Sequence, residues 1–185
     1  MLKIAIIIGS TRPGRRGESI AQWIYEIARK RSDAEYALVD LADFNLPVLD
    51  EPHPPFLQQY TKQHTWAWSK TINSFDGYVF VTPEYNHATS GALKNAIDYL
   101  HIEWKDKAAG IVSYGGATGG ARAAENLRLI LSELQVADVR AQVTLSLFTD
   151  FEDRRILKPA PHQESHANTL LDQVVAWSGA LKALR

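Results

Sequence analysis

The sequence predicts an α/β fold, in which one parallel sheet of five strands carries helices on both of its faces. Three observations lead to this prediction. Apolar runs of strand length alternate with segments whose apolar residues recur every three or four positions. The first run, residues 2–8, is almost wholly apolar, which suits a parallel strand that is covered on both faces. Loops of unusual composition follow the first, third and fourth runs, at the strand ends where such sheets bind ligands.

The first strand–helix–strand unit shows the pattern most clearly. The strand at residues 2–8 leads into a polar loop, residues 9–19, with the sequence GSTRPGRRGES. Residues 34–41 (AEYALVDL) are predicted to form the second strand. The helix between the two strands is predicted from four apolar residues on one face: Ile20, Trp23, Ile24 and Ile27.

A segment with four prolines and no periodicity, residues 43–55, follows the second strand. A loop of about a dozen residues in a compact domain is often functional, and a plain surface connector explains it equally well. His53 lies in this segment without a partner that would assign it a role. The helix beyond it is predicted from the helical spacing of Trp68, Ile72 and Phe75.

The third strand is predicted at residues 76–82 (DGYVFVT) and ends at Pro83, which cannot donate to a strand ladder. The loop after it has the sequence PEYNH. Thr89 or Ser90 is expected to cap the next helix. The buried face of that helix is predicted to be Leu93, Ala96, Ile97 and Leu100.

The fourth strand is predicted from residue 107 or 108 to residue 113, followed by the glycine-rich loop YGGATGG. A helix begins there, and a fifth strand lies within residues 138–147. Pro159 and Pro161 precede a last helix. The inward residues predicted for the first of these two helices are Leu127, Ile130, Leu131 and Leu134. The last helix carries Leu170, Val174, Trp177, Leu181 and Leu184.

The strand order 2-1-3-4-5 would make strands one, three and four neighbours, so their three special loops would form a single crevice. That convergence is stronger evidence for a ligand site than any one loop. No repeat or linker interrupts the chain, and 185 residues with 45% hydrophobic content can bury one good core. We therefore expect a single domain, residues 1–185.

Composition excludes several classes of function. A net charge of −1 does not favour broad attraction to nucleic acid or to membranes. The absence of cysteine rules out disulfides, thiolate nucleophiles, iron–sulfur clusters and cysteine-based zinc sites. His162 and His166 have a helical spacing but no third ligand, so we expect surface residues and no metal site. No signal segment or apolar run of about 18 residues is present, which indicates a cytoplasmic protein.

The loop at residues 9–19 has the composition of a phosphate site. The first turn of the helix behind it presents unpaired backbone N–H groups and the positive end of the helix dipole. These features predict an anionic ligand, most simply a phosphate. Side chains of the loop add hydroxyl groups and positive charge: Ser10, Thr11, Ser19, Arg12, Arg15 and Arg16.

Residues 9–19 differ from two common nucleotide-binding loops. A Walker loop is excluded because no Gly-Lys-Ser/Thr ends the stretch. A dinucleotide loop is a real competitor, since Asp40 stands where a ribose-binding acid would sit. However, the spacing of Gly9, Gly14 and Gly17 is not G-x-G-x-x-G, and hydroxyls with arginines fit a terminal phosphate better. A purely structural turn is the alternative that stays open.

The other two loops suggest what the phosphate belongs to. The second supplies a ring, Tyr85, and an amide, Asn86, while the third supplies Tyr114 and four glycines that allow close backbone approach. A phosphate at one end of the crevice and a flat, hydrogen-bonding heterocycle at the other describe flavin mononucleotide (FMN). Packing of Tyr85, turn formation by Asn86 and ordinary turn glycines are the alternatives.

The motifs GSTRPGRRG after the first strand and TPEYNHATSGALKNAIDYL after the third resemble the NADPH-dependent FMN reductase family of flavodoxin-like proteins. The resemblance covers nearly the whole chain and implies a flavodoxin-like sandwich of three layers. It implies that the first loop holds the FMN phosphate, that residues 83–86 border the isoalloxazine ring, and that residues 113–116 reach its pyrimidine side. The predicted cofactor-binding residues are Gly9, Ser10, Thr11, Arg12, Arg15, Gly17, Glu18, Ser19, Pro83, Glu84, Tyr85, Asn86, Ser113, Tyr114, Gly115 and Gly116.

The resemblance also implies an activity. A reduced nicotinamide, NADPH or NADH, would give a hydride to FMN, which would then reduce a quinone, azo, metal-oxyanion or free-flavin acceptor. No side chain is assigned as an obligatory acid, base or nucleophile, and Arg15, Arg16 and Arg122 are candidates for reading a 2′-phosphate. A homodimer or homotetramer is expected. The alternatives are an electron carrier of the flavodoxin type and a flavin-free regulatory protein with the same fold.

Overall fold

The computed structural model describes residues 1–185, and its central feature is a parallel five-stranded sheet with the order β2-β1-β3-β4-β5. The predicted fold class and strand order are confirmed. The strands of the sheet are β1 (Leu2–Ile8), β2 (Ala34–Asp40), β3 (Gly77–Pro83), β4 (Ala108–Gly115) and β5 (Ala137–Ser146). The helices are α1 (Gly17–Ala28), α2 (Gln63–Asn73), α3 (Gly91–Asp98), α4 (Ala121–Glu133) and α5 (Pro161–Leu181).

Two hydrophobic clusters cover the two faces of the sheet. Alternate residues of β1 face opposite sides, so that Ile4 and Ile6 join one cluster while Ala5 and Ile7 join the other. The first cluster packs β1 against α1 and α5, and the second packs it against α2, α3 and α4. Every residue of β3 and β4 is buried, which agrees with the mostly apolar sequences of these strands.

Strand ends differ from the predicted ends in ways that matter for the crevice. β4 continues to Gly115, two positions beyond the predicted Ser113. Pro83 belongs to β3 and pairs with Tyr114. A proline is tolerated there because β1 pairs with β3 only as far as Val81, so that no neighbouring strand requires its missing N–H.

A short hairpin after β5 is absent from the sequence prediction. Its strands are β6 (Phe151–Glu152) and β7 (Ile156–Leu157), and we call residues 147–158 the β6–β7 hairpin. Asp153 and Arg154, at its tip, have φ values of 51° and 54°. Asp150 fixes its base, because its carboxylate accepts from the backbone N–H groups of Ser146 and Ala160.

None of the helices has both the length and the apolar character that crossing a bilayer requires.

The segment that contains the prolines is only partly irregular. It includes one-turn 3-10 helices at Leu41–Phe44 and Pro55–Leu57, and the first is capped by the Asp40 carboxylate, which accepts from the N–H of Ala42 over 2.9 Å.

Candidate functional site

Three loops meet at the carboxyl edge of the sheet because β1, β3 and β4 are adjacent there. They are residues 9–16, 84–90 and 116–120. A cavity of about 290 Å³, which we call the three-loop crevice, lies between them. Its lining residues are Arg12, Arg16, Pro83, Glu84, Tyr85, Tyr114, Gly115, Gly116, Leu147 and Arg154. All but Arg16, Leu147 and Arg154 are among the residues predicted to bind a cofactor.

The first loop is held against the sheet at Gly9. The N–H of Gly9 donates to the Val81 carbonyl over 2.8 Å, and its own carbonyl accepts from the Ser90 hydroxyl. A Cβ at this position would lie 2.8 Å from the Val81 oxygen and 2.9 Å from Leu93 Cδ2. Glycine is therefore required by the close approach of the loop to β3 and α3. Ser90 also caps α3, where the N–H of Leu93 donates to its hydroxyl over 3.0 Å.

A contact between two hydroxyl groups joins the first loop to the second. The Oγ of Ser10 lies 2.9 Å from the hydroxyl of Tyr85, and Ser10 is buried. The guanidinium of Arg12 lies 5.7 Å from the centre of the Tyr85 ring, within cation–π range. Arg12 is exposed and pairs with no carboxylate. Its positive charge is thus available to an anion in the crevice.

Arg15 has a different environment from Arg12. Its guanidinium donates to the Ser10 carbonyl over 2.5 Å, to the Glu18 carboxylate over 2.6 Å and to the Asp40 carboxylate over 2.5 Å. Only 9% of its side chain is exposed. Arg15 therefore ties the first loop to α1 and to the end of β2. Asp40, the residue considered as a ribose ligand, is therefore already paired with Arg15.

The first turn of α1 carries no side-chain cap. Gly17 is buried, whereas Glu18 and Ser19 are exposed. The Ser19 hydroxyl donates to the Arg16 carbonyl over 2.9 Å, so it turns back on the helix. The backbone N–H groups at the start of α1 are left to a ligand or to solvent.

The second loop makes a tight turn at its tip. Tyr85 and Ala88 exchange two backbone hydrogen bonds of 3.0 and 3.1 Å around Asn86 and His87. Both central residues have positive φ values, 50° and 67°, as in the type I′ turn that asparagine favours. Asn86 is exposed at this tip, so the turn alone already accounts for an asparagine here.

Glu84 fixes the second loop to β4 and α4, the two elements that flank the third loop. Its N–H donates to the Tyr114 carbonyl over 2.9 Å, and its carboxylate accepts from the Nε of Arg122 over 2.6 Å and from the backbone N–H of Arg122 over 3.2 Å. Burial would raise the pKa of the Glu84 carboxyl, but the hydrogen bonds and charge of Arg122 outweigh it and lower that pKa. The carboxylate is consequently ionised at neutral pH.

The third loop folds back on the end of β4. Gly119 and Gly120 have φ values of 60° and 82°, and a Cβ at Gly120 would lie 2.7 Å from the backbone nitrogen of Tyr114. The buried Ser113 hydroxyl donates to the Gly119 carbonyl over 2.9 Å. Ser113 therefore holds the loop in place, and Gly115 and Gly116 present backbone to the crevice.

Comparison with known proteins identifies the family. The sequence model of the family described as NADPH-dependent FMN reductase matches residues 2–150. This chain belongs to that family. It is 40% identical over 159 residues to an NAD(P)H-dependent FMN reductase from Nectria sp, with 81% of this chain and 79% of that protein covered. It is 30% identical over 186 residues to a 2-hydroxy-1,4-benzoquinone reductase from Burkholderia sp, with 95% and 96% covered.

The fold comparison agrees with this membership. A solved flavoenzyme NAD(P)H:(acceptor) oxidoreductase from Paracoccus denitrificans superposes with a TM-score of 0.74 over 97% of this chain and 98% of that one. At 19% identity, this likeness concerns the fold alone. As a member of its family, the protein is an oxidoreductase that uses FMN and a reduced nicotinamide nucleotide.

An orphaned hydroxyl in the three-loop crevice tests whether its residues suit FMN. The hydroxyl of Tyr114 is buried and has no hydrogen-bond partner. It points at the start of α1, where a Cβ added to Gly17 would lie 3.1 Å away. Burial, with Tyr85 nearby, raises the pKa of Tyr114 although the Gly17 N–H and the charges of Arg12 and Arg15 act in the opposite direction, so the hydroxyl remains protonated. An unpaired hydroxyl beside an uncapped helix start and an unpaired arginine suits the phosphate and ribityl oxygens of FMN.

A second cavity, of about 360 Å³, lies between the 3-10 turn after β2 and α3. Thr11 is the one predicted residue among those that line it. The others are Leu41, Ala42, Asn45, Leu46, Ala92, Asn95 and Ala96, so it offers no charged side chain. A phosphate dianion is matched by positive charge, which the smaller three-loop crevice offers and this second cavity lacks.

The contribution of the β6–β7 hairpin to the crevice is absent from the sequence prediction. Leu147 and Arg154 line the crevice, although they belong to no predicted loop. The one local signal for this hairpin is that Phe151, Ile156 and Leu157 stand among charged residues. Each strand has only two residues, which is too short for a pattern that predicts a strand. Outside the crevice, no group of three or more acidic or histidine side chains is arranged to hold a metal, and the rings of His162 and His166 lie exposed on α5.

Proposed function

We propose that this protein holds FMN in the three-loop crevice and uses it to reduce a quinone-like acceptor at the expense of NAD(P)H. Bound FMN supplies a ring that takes a hydride from the nicotinamide and returns two electrons to the acceptor. The overall reaction balances as NAD(P)H, a proton and a quinone giving NAD(P)⁺ and a hydroquinone. We further propose that residues 1–185 act as one flavin-binding domain.

The phosphate end of the crevice is proposed to lie at the start of α1. Three groups support this placement: the uncapped first turn of α1, the orphaned Tyr114 hydroxyl and the unpaired Arg12 guanidinium. The Tyr114 hydroxyl is the single observation that carries the proposal, because a buried donor without a partner is costly unless a ligand completes it. Ser10 adds a fourth donor once its contact with Tyr85 is exchanged for a phosphate oxygen.

The ring end is proposed to lie on the second and third loops. Tyr85 offers an aromatic edge, and the backbone of Gly115 and Gly116 has no side chain to keep a flat ligand away. Of the residues predicted to bind the cofactor, Arg15, Glu18, Ser19, Glu84 and Ser113 have side chains engaged with the protein itself. We propose that these five shape the site and leave direct contact to the others.

Assembly into a dimer or larger oligomer belongs to the same proposal. Large apolar side chains around α2 and α3 are exposed, among them Val48 at 88%, Phe56 at 56% and Trp66 at 53%. Exposed apolar side chains of this size favour association when they lie together. Sedimentation of the purified protein tests this, and a monomer at micromolar concentration would contradict it. We expect the protein to act in the cytoplasm.

Two measurements test the proposed function. The purified protein should show a flavin absorption spectrum or acquire one on addition of FMN, and titration should show tighter binding of FMN than of FAD. Initial rates with NADPH and a benzoquinone should give parallel double-reciprocal lines, because one exposed ring face serves donor and acceptor in turn. Tighter binding of FAD would contradict the mononucleotide site, and intersecting lines would contradict the shared face.

The same assays separate the rival functions. A flavodoxin-type electron carrier would bind FMN but would not oxidise NADPH without a partner enzyme. A flavin-free regulatory protein would stay colourless when FMN is added. Rapid NADPH oxidation that depends on added quinone supports the enzyme.

A further inference from the structure

The β6–β7 hairpin forms a wall of the three-loop crevice that carries positive charge. The Arg154 guanidinium lies 4.8 Å from the centre of the Phe148 ring, in a cation–π contact. The Nε of Arg16 donates to the Arg154 carbonyl over 3.1 Å, which links the first loop to the hairpin. A Cβ on Gly116 would lie 3.7 Å from the Phe148 ring, so that ring borders the crevice mouth.

The charges of the crevice lining do not balance. Arg12, Arg16 and Arg154 all line it, and none pairs with a carboxylate. Glu84 is the sole acidic residue of the lining, and its charge is matched by Arg122. The crevice therefore has three guanidinium groups with no counterion from the protein, and their charge favours anionic groups there.

One phosphate dianion does not account for all three arginines. The proposed FMN phosphate already has the first turn of α1, the Ser10 and Tyr114 hydroxyls and Arg12. Arg16 is turned away from this position, because its guanidinium donates to the carbonyls of Gly14 and Arg154. Arg16 and Arg154 both line the crevice where the hairpin meets the first loop, and the Arg154 carbonyl links them.

We propose that Arg16 and Arg154 bind the 2′-phosphate of NADPH and set a preference for NADPH over NADH. A 2′-phosphate is a monoester with a charge of about −1.5 to −2 at neutral pH. Two guanidinium groups match that charge, whereas each phosphate of the internal pyrophosphate carries a single one. The 2′-phosphate belongs to the adenosine, at the opposite end of NADPH from the nicotinamide. A position at the rim of the crevice suits a group so far from the nicotinamide. Phe148 holds Arg154 in place and gives the adenosine an apolar wall.

This inference rests on the proposed function, and its test uses FMN-loaded protein and a donor fragment that has no redox chemistry. Adenosine 2′,5′-bisphosphate and 5′-AMP are titrated by calorimetry into wild type, Arg154→Gln and Arg16→Gln. The matched control is Arg155→Gln, since Arg155 is the exposed neighbour on the same turn but does not line the crevice. The dissociation constant for FMN and the ratio of kcat/KM for NADPH to that for NADH are measured for each variant.

We expect Arg154→Gln and Arg16→Gln each to weaken bisphosphate binding five- to twentyfold and to lower the NADPH-to-NADH ratio by a similar factor. Binding of 5′-AMP and FMN should change less than twofold, and Arg155→Gln should match the wild type. Equal losses for bisphosphate and 5′-AMP, or a loss of FMN affinity in Arg154→Gln, would overturn the assignment. So would bisphosphate binding that neither variant changes. Wild-type protein that takes up no FMN would instead contradict the proposed function.

Discussion

The Glu84 carboxylate and the Arg122 guanidinium form an ion pair that joins the second loop of the crevice to the first turn of α4. The Glu84 side chain is 7% exposed, while that of Arg122 is 49% exposed. Gly115 lies against the same acidic residue, since a Cβ on Gly115 would lie 3.3 Å from the Cβ of Glu84. The second loop is therefore joined through Glu84 to β4 and α4, the two elements that flank the third loop.

Replacing this carboxylate should loosen the ring end of the site. In Glu84→Gln the charge is lost while the shape is kept, and we expect FMN to bind about three- to tenfold more weakly, roughly 0.7–1.4 kcal/mol. Fluorescence titration of FMN measures this. Asp98→Asn is the control, because the Lys94–Asp98 pair is exposed and far from the crevice, and it should change nothing measurable. FMN affinity that is equal in Glu84→Gln and wild type would contradict a clamping role.

The hydroxyl contact between Ser10 and Tyr85 leads to a second prediction. The sequence predicts these residues at opposite ends of the ligand, yet their side chains lie 2.9 Å apart. We expect Ser10→Ala and Tyr85→Phe to weaken FMN binding in a coupled way, with an interaction free energy of about 0.5–1.5 kcal/mol. A double-mutant cycle of FMN dissociation constants measures the coupling. Strictly additive effects would show that the two hydroxyls act independently.

Arg12 and Arg15 should differ although they stand three positions apart. Arg12→Ala removes an exposed, unpaired charge, so we expect FMN affinity to fall about ten- to a hundredfold with little change in the free energy of unfolding. Arg15→Ala removes the bonds to Ser10, Glu18 and Asp40, so we expect about 2 kcal/mol of lost stability. Urea unfolding and FMN titration of both variants separate the roles. If Arg15→Ala abolished FMN binding at unchanged stability, Arg15 would be a direct phosphate ligand.

Features set by residues close together in the chain can be predicted from the sequence, whereas contacts between distant residues cannot. Strands and helices were predicted well because their apolar periodicity is local, and the strand order then brought the three loops together. The engagement of Arg15 by Asp40, 25 positions away, leaves no local pattern. The same holds for Arg16 and Arg154, which are 138 positions apart, so the hairpin wall was unpredictable from the loop composition.

Lys107, at the opposite end of the sheet from the crevice, provides a prediction about pH. It is 2% exposed, and its Nζ donates to the Ile72 carbonyl over 3.1 Å and contacts the Tyr78 hydroxyl at 2.9 Å. Burial, together with the charge of Arg185, lowers the pKa of Lys107 to about 7, although Asp76 and Glu103 act in the opposite direction.

The direction of the pH effect follows from the two pKa values. The pKa of a lysine in the unfolded chain is about 10.4, so above about pH 7 the unfolded state binds more protons than the folded one. Stability should therefore rise with pH between about pH 7 and pH 9, with a slope of up to about 1.4 kcal/mol per unit from this group. The upper bound keeps the measurement below the range in which tyrosines ionise. Lys107→Met should flatten the slope measured by urea unfolding, and the exposed Lys70→Met should leave it unchanged. A slope that persists in Lys107→Met would mean that Lys107 is not the group that titrates.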